Sequence, residues 1–252
     1  MIHLHVSAGS QMGCVRDHNE DMILIDTETY RDAYTTRTFN LGEEQPCIVA
    51  VCDGLGGHAA GEIASQDAAQ ELGNHVATLS HILSPGELHA DLESWSQEEH
   101  LYLLQQGLEH PEQRGMGTTL VAVLVYRNRF YLINCGDSRC YLSSADMLRQ
   151  LSTDHSLFNI SNDLKDRHTL TNCLGASADS YIDFTDITPC ITSGSRLLLC
   201  SDGLSDMCPD SLLQQLLSQR ADAPTLIASA YEAGGLDNVS AIIVDVIIDE
   251  NS

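Results

Sequence analysis

Four segments of this sequence share one design, in which an aspartate stands close to a glycine at the edge of an apolar run. They are IVAVCDGLGGH with Asp53, YLINCGDSR with Asp137, RLLLCSDGL with Asp202 and GGLDNVS with Asp237. A fifth acidic pair, Glu20 and Asp21, follows Arg16 in VRDHNED. Glycine beside an acid lets a ligand approach the backbone, and neighbouring strands place residues distant in sequence side by side. Taken singly, an Asp-Gly after a strand is a turn. Taken together, the segments predict a cluster of carboxylates.

Such a cluster dictates its own chemistry. Two like charges ~4 Å apart cost about 4 kcal/mol at an effective dielectric of 20. Three or four therefore require cations or strongly shifted pKa values. Oxygen-only ligands favour hard octahedral ions, so Mg²⁺ or Mn²⁺ is the expected counter-charge, ahead of zinc. Two such ions ~3.5–4 Å apart can share a water, lower its pKa and hold it in line with a phosphoryl or carbonyl centre.

The elements that must position these acids follow from periodicity. Strands are predicted at Ile2–Ala8, Met22–Asp26, Cys47–Cys52, Thr118–Tyr126, Phe130–Asn134, Cys140–Ser143, Tyr181–Ile187, Arg196–Cys200 and Val239–Ile248. Helical patterns cover Gly61–Leu79, Pro85–Leu108 behind a Ser84-Pro85 start signal, Pro209–Ser218 and Pro224–Ala233. Thr27–Gln45 reads as a hairpin excursion and Leu157–Thr171 as a polar loop or short flap. The order predicts an α+β fold, two antiparallel sheets packed face to face with helices outside. No linker or internal repeat divides residues 1–252, so one domain is expected.

Composition narrows the function. The chain carries 36 acidic and 12 basic residues, a formal charge of −24, and Lys165 is its one lysine. Nucleic acid is excluded as a partner, because affinity for a phosphate backbone rests on Lys and Arg displacing counterions. An anionic membrane is excluded on the same ground. Nine cysteines without a C-x-x-C pair read as buried, reduced thiols. With no signal segment and no membrane-spanning stretch, a cytoplasmic location is expected.

Eight ordered blocks, at residues 13–21, 53–65, 116–125, 134–142, 151–156, 170–176, 197–206 and 234–244, resemble the metal-dependent protein Ser/Thr phosphatases of the PPM or PP2C-like family, bacterial type. The resemblance spans nearly the whole chain. It implies a four-layer αββα fold, a central β-sandwich flanked by helices, with a binuclear Mg²⁺ or Mn²⁺ centre. By the family's pattern Asp53 bridges the two metals, Asp202 and Asp237 complete one site, and the Gly54 carbonyl and Glu20 (through water) serve the other. Asp137, with Asp202, matches a third and weaker site. Asp21 would orient Glu20 or a metal-bound water, and Asn238 would fix the Asp237 loop. Arg16 would grip the substrate phosphate in a fork, its alternative being a surface ion pair with Asp17 or Glu20. His58 would protonate the leaving alkoxide or hydrogen-bond carboxylates around the metals. Arg139 is expected to pair within the GDSR turn, and His155 to be structural.

The implied reaction is one-step hydrolysis of phosphoserine or phosphothreonine on proteins by a metal-activated water, reversing a Ser/Thr kinase. Phosphoprotein substrates and a cognate kinase system are the implied partners, and a monomer is expected. No cysteine sits in a C-x5-R loop, which argues against a Cys-dependent phosphatase. The pattern departs from the family at Leu55, at Asn172-Cys173, and in a flap shorter than in many bacterial members. A catalytically silent module and a nuclease are the alternatives, the latter lacking a basic track for a polymer.

Overall fold

The computed structural model describes residues 1–56, 60–144, 147–161, 163–166 and 169–249. Its first sheet has the spatial order β10 (Met147–Gln150), β9 (Arg139–Ser144), β12 (Arg196–Cys200), β13 (Val239–Ile248), β1 (Ile2–Gln11) and β4 (Ala33–Leu41). The second runs β11 (Asp183–Asp186), β8 (Arg129–Cys135), β7 (Leu120–Tyr126), β5 (Cys47–Leu55), β2 (Asp21–Ile25) and β3 (Glu28–Tyr30), and β6 (Gly117–Thr118) extends it on β5. The helices are α1 (Ala60–Ala77), α2 (Pro85–Glu109), α3 (Phe158–Ser161), α4 (Asp202–Ser205), α5 (Asp210–Ser218) and α6 (Ala223–Glu232).

Alternation along each strand sorts side chains into layers. On β5, Cys47, Val49 and Val51 enter the core between the sheets, whereas Ile48, Ala50 and Cys52 pack with α1 and α2. On β13, Ile242, Val244 and Val246 face the other sheet, while Val239, Ala241 and Ile243 meet Leu213, Leu217, Leu226 and Ile227 of α5 and α6. Three cores therefore separate four layers, in the order helix, sheet, sheet, helix. This is the α+β sandwich expected from the sequence. Each buried Val, Leu or Ile contributes roughly 1.5–3 kcal/mol, and burial on both faces is why IVAVC and LVAVLVY are unbroken apolar runs. At the head of α2, Ser84 and Glu87 cap each other reciprocally behind Pro85, as the start signal predicts.

Several local features differ from expectation. β5 runs on to Leu55, so Asp53 is held within a strand, because Asp21 of β2 and Thr118 of β6 pair with that stretch. The predicted 118–126 strand breaks at Thr119 into β6 and β7. Residues 27–45 are not a hairpin excursion: β3 closes on β2, then the chain changes sheets and β4 pairs with β1. Arg31 anchors that crossing, donating to the Asp21 carbonyl and to the Glu62 carboxylate and carbonyl.

Register decides where the acids meet. Gln11 faces Val239 and Cys200 faces Ala241 in the first sheet; Asp21 faces Asp53 and Leu120 faces Cys135 in the second. The segments before β2 and β13, and those after β5, β8 and β12, consequently emerge at one end of the seam between the sheets. Among the described residues no helix is long and apolar enough to cross a membrane.

Candidate metal centre

A cleft of about 560 Å³ opens at that end of the seam. Glu20, Asp53, Asp137, Asp202, Asp206 and Asp237 line it, together with Gly54, Asn238, and Arg16 as the cation among the described lining residues. Asp21 lies fully buried beside it, opposite Asp53. His58 falls outside the described residues. Sequence reasoning thus anticipates most of the acidic lining, though not Asp206 or the apolar rim of Leu55, Leu170, Met207 and Leu236.

A buried chain of small polar groups sets Asp21. The Ser201 hydroxyl donates to Asp21 Oδ2 at 2.8 Å, and the Ser240 N–H donates to Ser201 Oγ at 3.0 Å. Asp21 Oδ1 has no hydrogen-bond partner although it is buried. Burial, outweighing the serine hydrogen bonds, pushes the Asp21 carboxyl up to about 7, and repulsion from Asp202 and Asp237 adds to the rise. Asp21 is therefore bonded to the opposite sheet and not to Glu20.

Glu20 and Asp237 are tied to each other by Asn238. Its Oδ1 accepts the Glu20 N–H at 2.9 Å, and its Nδ2 donates to the His18 carbonyl at 2.9 Å. The Asn238 N–H in turn donates to Asp237 Oδ1 at 2.8 Å. Gly54 is pressed between segments: a Cβ there would stand 2.1 Å from the Gly61 carbonyl oxygen and 2.6 Å from that of Glu20. No side chain fits there, so the position requires glycine, and Gly54 itself lines the cleft.

Repulsion shapes the electrostatics. Burial raises the Asp53 carboxyl well above the usual carboxylate range, and Asp21, Asp202, Asp137 and Asp237 raise it further. Asp137 is pushed up to about 7 by burial, then by Asp202 and Asp154. Among the described residues, no three His, Cys, Asp or Glu side chains close on one point as a finished ligand set; the carboxylates ring the cleft. The residues nonetheless fit hard divalent cations on three counts: a donor set of oxygens, the partnerless Asp21 Oδ1 behind the cleft, and the mutual repulsion around Asp53 that positive charge would relieve.

Arg16 Nη2 donates to Asp237 Oδ2 at 2.6 Å, so its ion pair is with neither Asp17 nor Glu20. That hydrogen bond and the nearby acids raise its pKa against the opposing effect of burial. Arg139 pairs with Asp154, through Nε at 3.0 Å and Nη2 at 2.6 Å, and not within the GDSR turn. His155 is buried; its Nδ1 lies 3.2 Å from the Gly136 N–H and its Nε2 3.0 Å from Asp183 Oδ2. All nine cysteines are free, but Cys14 is exposed and Cys190 only half-buried, contrary to expectation; Cys14 sits in the 13–16 loop, outside any strand or helix, where its N–H donates to the Gly235 carbonyl.

Known proteins resemble this chain over most of its length. The family model described as Protein phosphatase 2C matches residues 26–230. The serine/threonine phosphatase stp of Listeria innocua is 32% identical, with 96% of each chain covered. The protein phosphatase PhpP of Streptococcus pneumoniae is 30% identical over 96% of this chain and 98% of its own. In the crystal structure of the catalytic domain of the serine threonine protein phosphatase PstP in complex with 2 manganese ions, the fold superposes with a TM-score of 0.76 at 30% identity, covering 98% of this chain and 100% of that one.

Proposed function

This chain belongs to the protein phosphatase 2C family and is a protein serine/threonine phosphatase, and on that premise we propose which residues carry the reaction. The observation behind the assignment is that carboxylates from five separate segments line one cleft at the seam of the sandwich. Asp53, buried at the centre of the acidic cluster, would be the central ligand for Mn²⁺ or Mg²⁺. Asp202 and Asp237 would hold one ion, the Gly54 carbonyl and Glu20 (through water) the other, and Asp137 with Asp202 a third and weaker one. Bound, the ions supply positive charge to the phosphoryl oxygens and lower the pKa of the attacking water.

The chain's own residues do the positioning. Asn238 locks Glu20 to the Asp237 loop, and Ser201 holds Asp21 against the opposite sheet. Arg16, poised on Asp237 at the mouth, turns its guanidinium fork to two equatorial phosphoryl oxygens, where charge is greatest in the transition state. Water adds to phosphorus, the P–O bond to the Ser or Thr oxygen breaks, and that oxygen takes a proton from water or from His58. The products are the free hydroxyl and inorganic phosphate.

We further infer one catalytic domain across residues 1–252, acting as a cytoplasmic monomer against a cognate Ser/Thr kinase; the nine free cysteines accord with a reducing compartment. Hydrolysis of p-nitrophenyl phosphate and of a phosphothreonine peptide with Mn²⁺ tests the site. Asp53→Ala and Asp202→Asn should each lose at least about 100-fold in rate; wild-type rates in both variants would sink the assignment.

A further inference from the structure

One rung of the β5 ladder is made by a side chain. The pairs Val51↔Val121 and Gly54↔Thr118 share a single register, which sets Asp53 opposite Thr119. The Thr119 N–H donates to the Asp53 carbonyl at 2.9 Å in the ordinary way. The returning bond is diverted: the Asp53 N–H donates to the Thr119 hydroxyl at 3.0 Å, where an antiparallel ladder would use the carbonyl. The Thr118 hydroxyl lies 2.9 Å from that carbonyl and 3.0 Å from the Asp53 carbonyl, and its single proton is shared between the two.

The diverted hydroxyl has a second partner. Thr119 Oγ1 and Ser138 Oγ are 2.7 Å apart, and both residues are buried. Since the Asp53 N–H occupies an acceptor site of the Thr119 oxygen, its proton is free to go to Ser138. Gly136 presses on the same side chain. Its φ is +117°, and a Cβ there would stand 2.6 Å from Thr119 Cβ and 2.7 Å from Cγ2. A single threonine thus touches the strand end that carries Asp53 and the turn that carries Asp137.

We propose that Thr119 is a positioning residue that fixes Asp53 and Asp137 relative to each other through the Asp53 N–H···Thr119···Ser138 link. This rests on the metal reading of those two carboxylates given above. If Thr119 served packing alone, valine would replace it, since the methyl that Gly136 meets would remain. If the link matters, the hydroxyl is what counts, and serine would preserve it.

The test uses the full chain stripped of metal, with Thr119→Val, Thr119→Ser, Ser138→Ala and the Val/Ala double variant. Mn²⁺ affinity is read by titration calorimetry, alongside p-nitrophenyl phosphate hydrolysis against Mn²⁺ concentration and a melting curve in chelator. Thr119→Val and Ser138→Ala should each weaken Mn²⁺ binding by about 10–100-fold. Thr119→Ser should stay close to wild type, and the double variant should be no worse than the weaker single, because one link is broken once. Wild-type Mn²⁺ affinity in Thr119→Val, or an equal loss in Thr119→Ser, overturns the proposal. Should Thr119→Val show no cooperative melt, Ser138→Ala decides alone, wild-type affinity there being the refuting result. Failure of the wild-type chain to bind Mn²⁺ overturns the metal reading as well, which separates the two.

Discussion

Glu99 offers a stability measurement whose sign and size follow from its surroundings. It sits on the inner face of α2 at 5% exposure, and its Oε1 has no hydrogen-bond partner. Burial, then repulsion from Asp67 and Glu71 on α1, moves its carboxyl from an ordinary 4.5 to about 8. The folded state therefore holds this proton more tightly than the unfolded chain does. Its stabilisation is fully present below about pH 4.5 and is lost as pH rises through about 8. At 1.36 kcal/mol per pH unit the interval sets a ceiling of about 4–5 kcal/mol, and relaxation around the charge reduces this to a few kcal/mol. Glu99→Gln keeps the shape and removes the titration. Urea unfolding of both proteins in chelator, from pH 5 to 9, should show the variant gaining on wild type by about 2 kcal/mol or more across the window. The absolute gap includes the new amide's own hydrogen bonding, so the pH dependence is the quantity to read. A gap independent of pH, or one that moves against the variant as pH rises, refutes the reasoning.

Other outcomes concern the cleft. Arg16→Lys keeps the charge but loses the fork; forfeiting a charge-assisted bond of about 1.5–3 kcal/mol should lower kcat/KM on a phosphopeptide roughly 10–100-fold, and an unchanged value would remove Arg16 from phosphate binding. Asn238→Ala removes the bonds to Glu20 and His18, so the Mn²⁺ concentration for half-maximal activity should rise about 10–100-fold while the rate at saturating Mn²⁺ falls less. With a charge of −24, phosphopeptides flanked by arginine should be hydrolysed faster than those flanked by glutamate at low salt. That difference should shrink once the Debye length falls below about 8 Å, and equal rates at low salt would end the steering idea.

Strands buried on both faces were the most legible part of the fold, because IVAVC and RLLLC admit little else. The β12 and β13 boundaries agree with the periodicity residue for residue. β10 escaped it: Met147 and Arg149 are exposed on an edge strand, so its pattern carries no strong apolar signal. The sheet change between Tyr30 and Ala33 escaped as well, since alternation marks a strand's faces and not its partner. At the site, acids beside glycines were visible, whereas what holds them was not. Arg139 finds Asp154 and Asp21 finds Ser201 by long-range register, and no local spacing encodes either pairing. The Thr119 hydroxyl lay inside a recognised block, MGTT, but its role appears only when the rung at Asp53 is traced.

The seam itself has a consequence for mechanics. Asp202 and Asp237 stand at ends of the first sheet, Asp21 and Asp53 on the second, and the Asp137 turn passes from one to the other. An ion held by such a set works as a clasp between two slabs, since sliding one over the other pulls its ligands apart. Coupling of this kind is reciprocal: whatever tightens the clasp stiffens the sandwich against shear, and whatever shears the sandwich loosens the clasp by the same free energy. Loading should therefore slow amide exchange at the cleft ends of both sheets together, and moderate heat or pressure should release the ion before either sheet unravels.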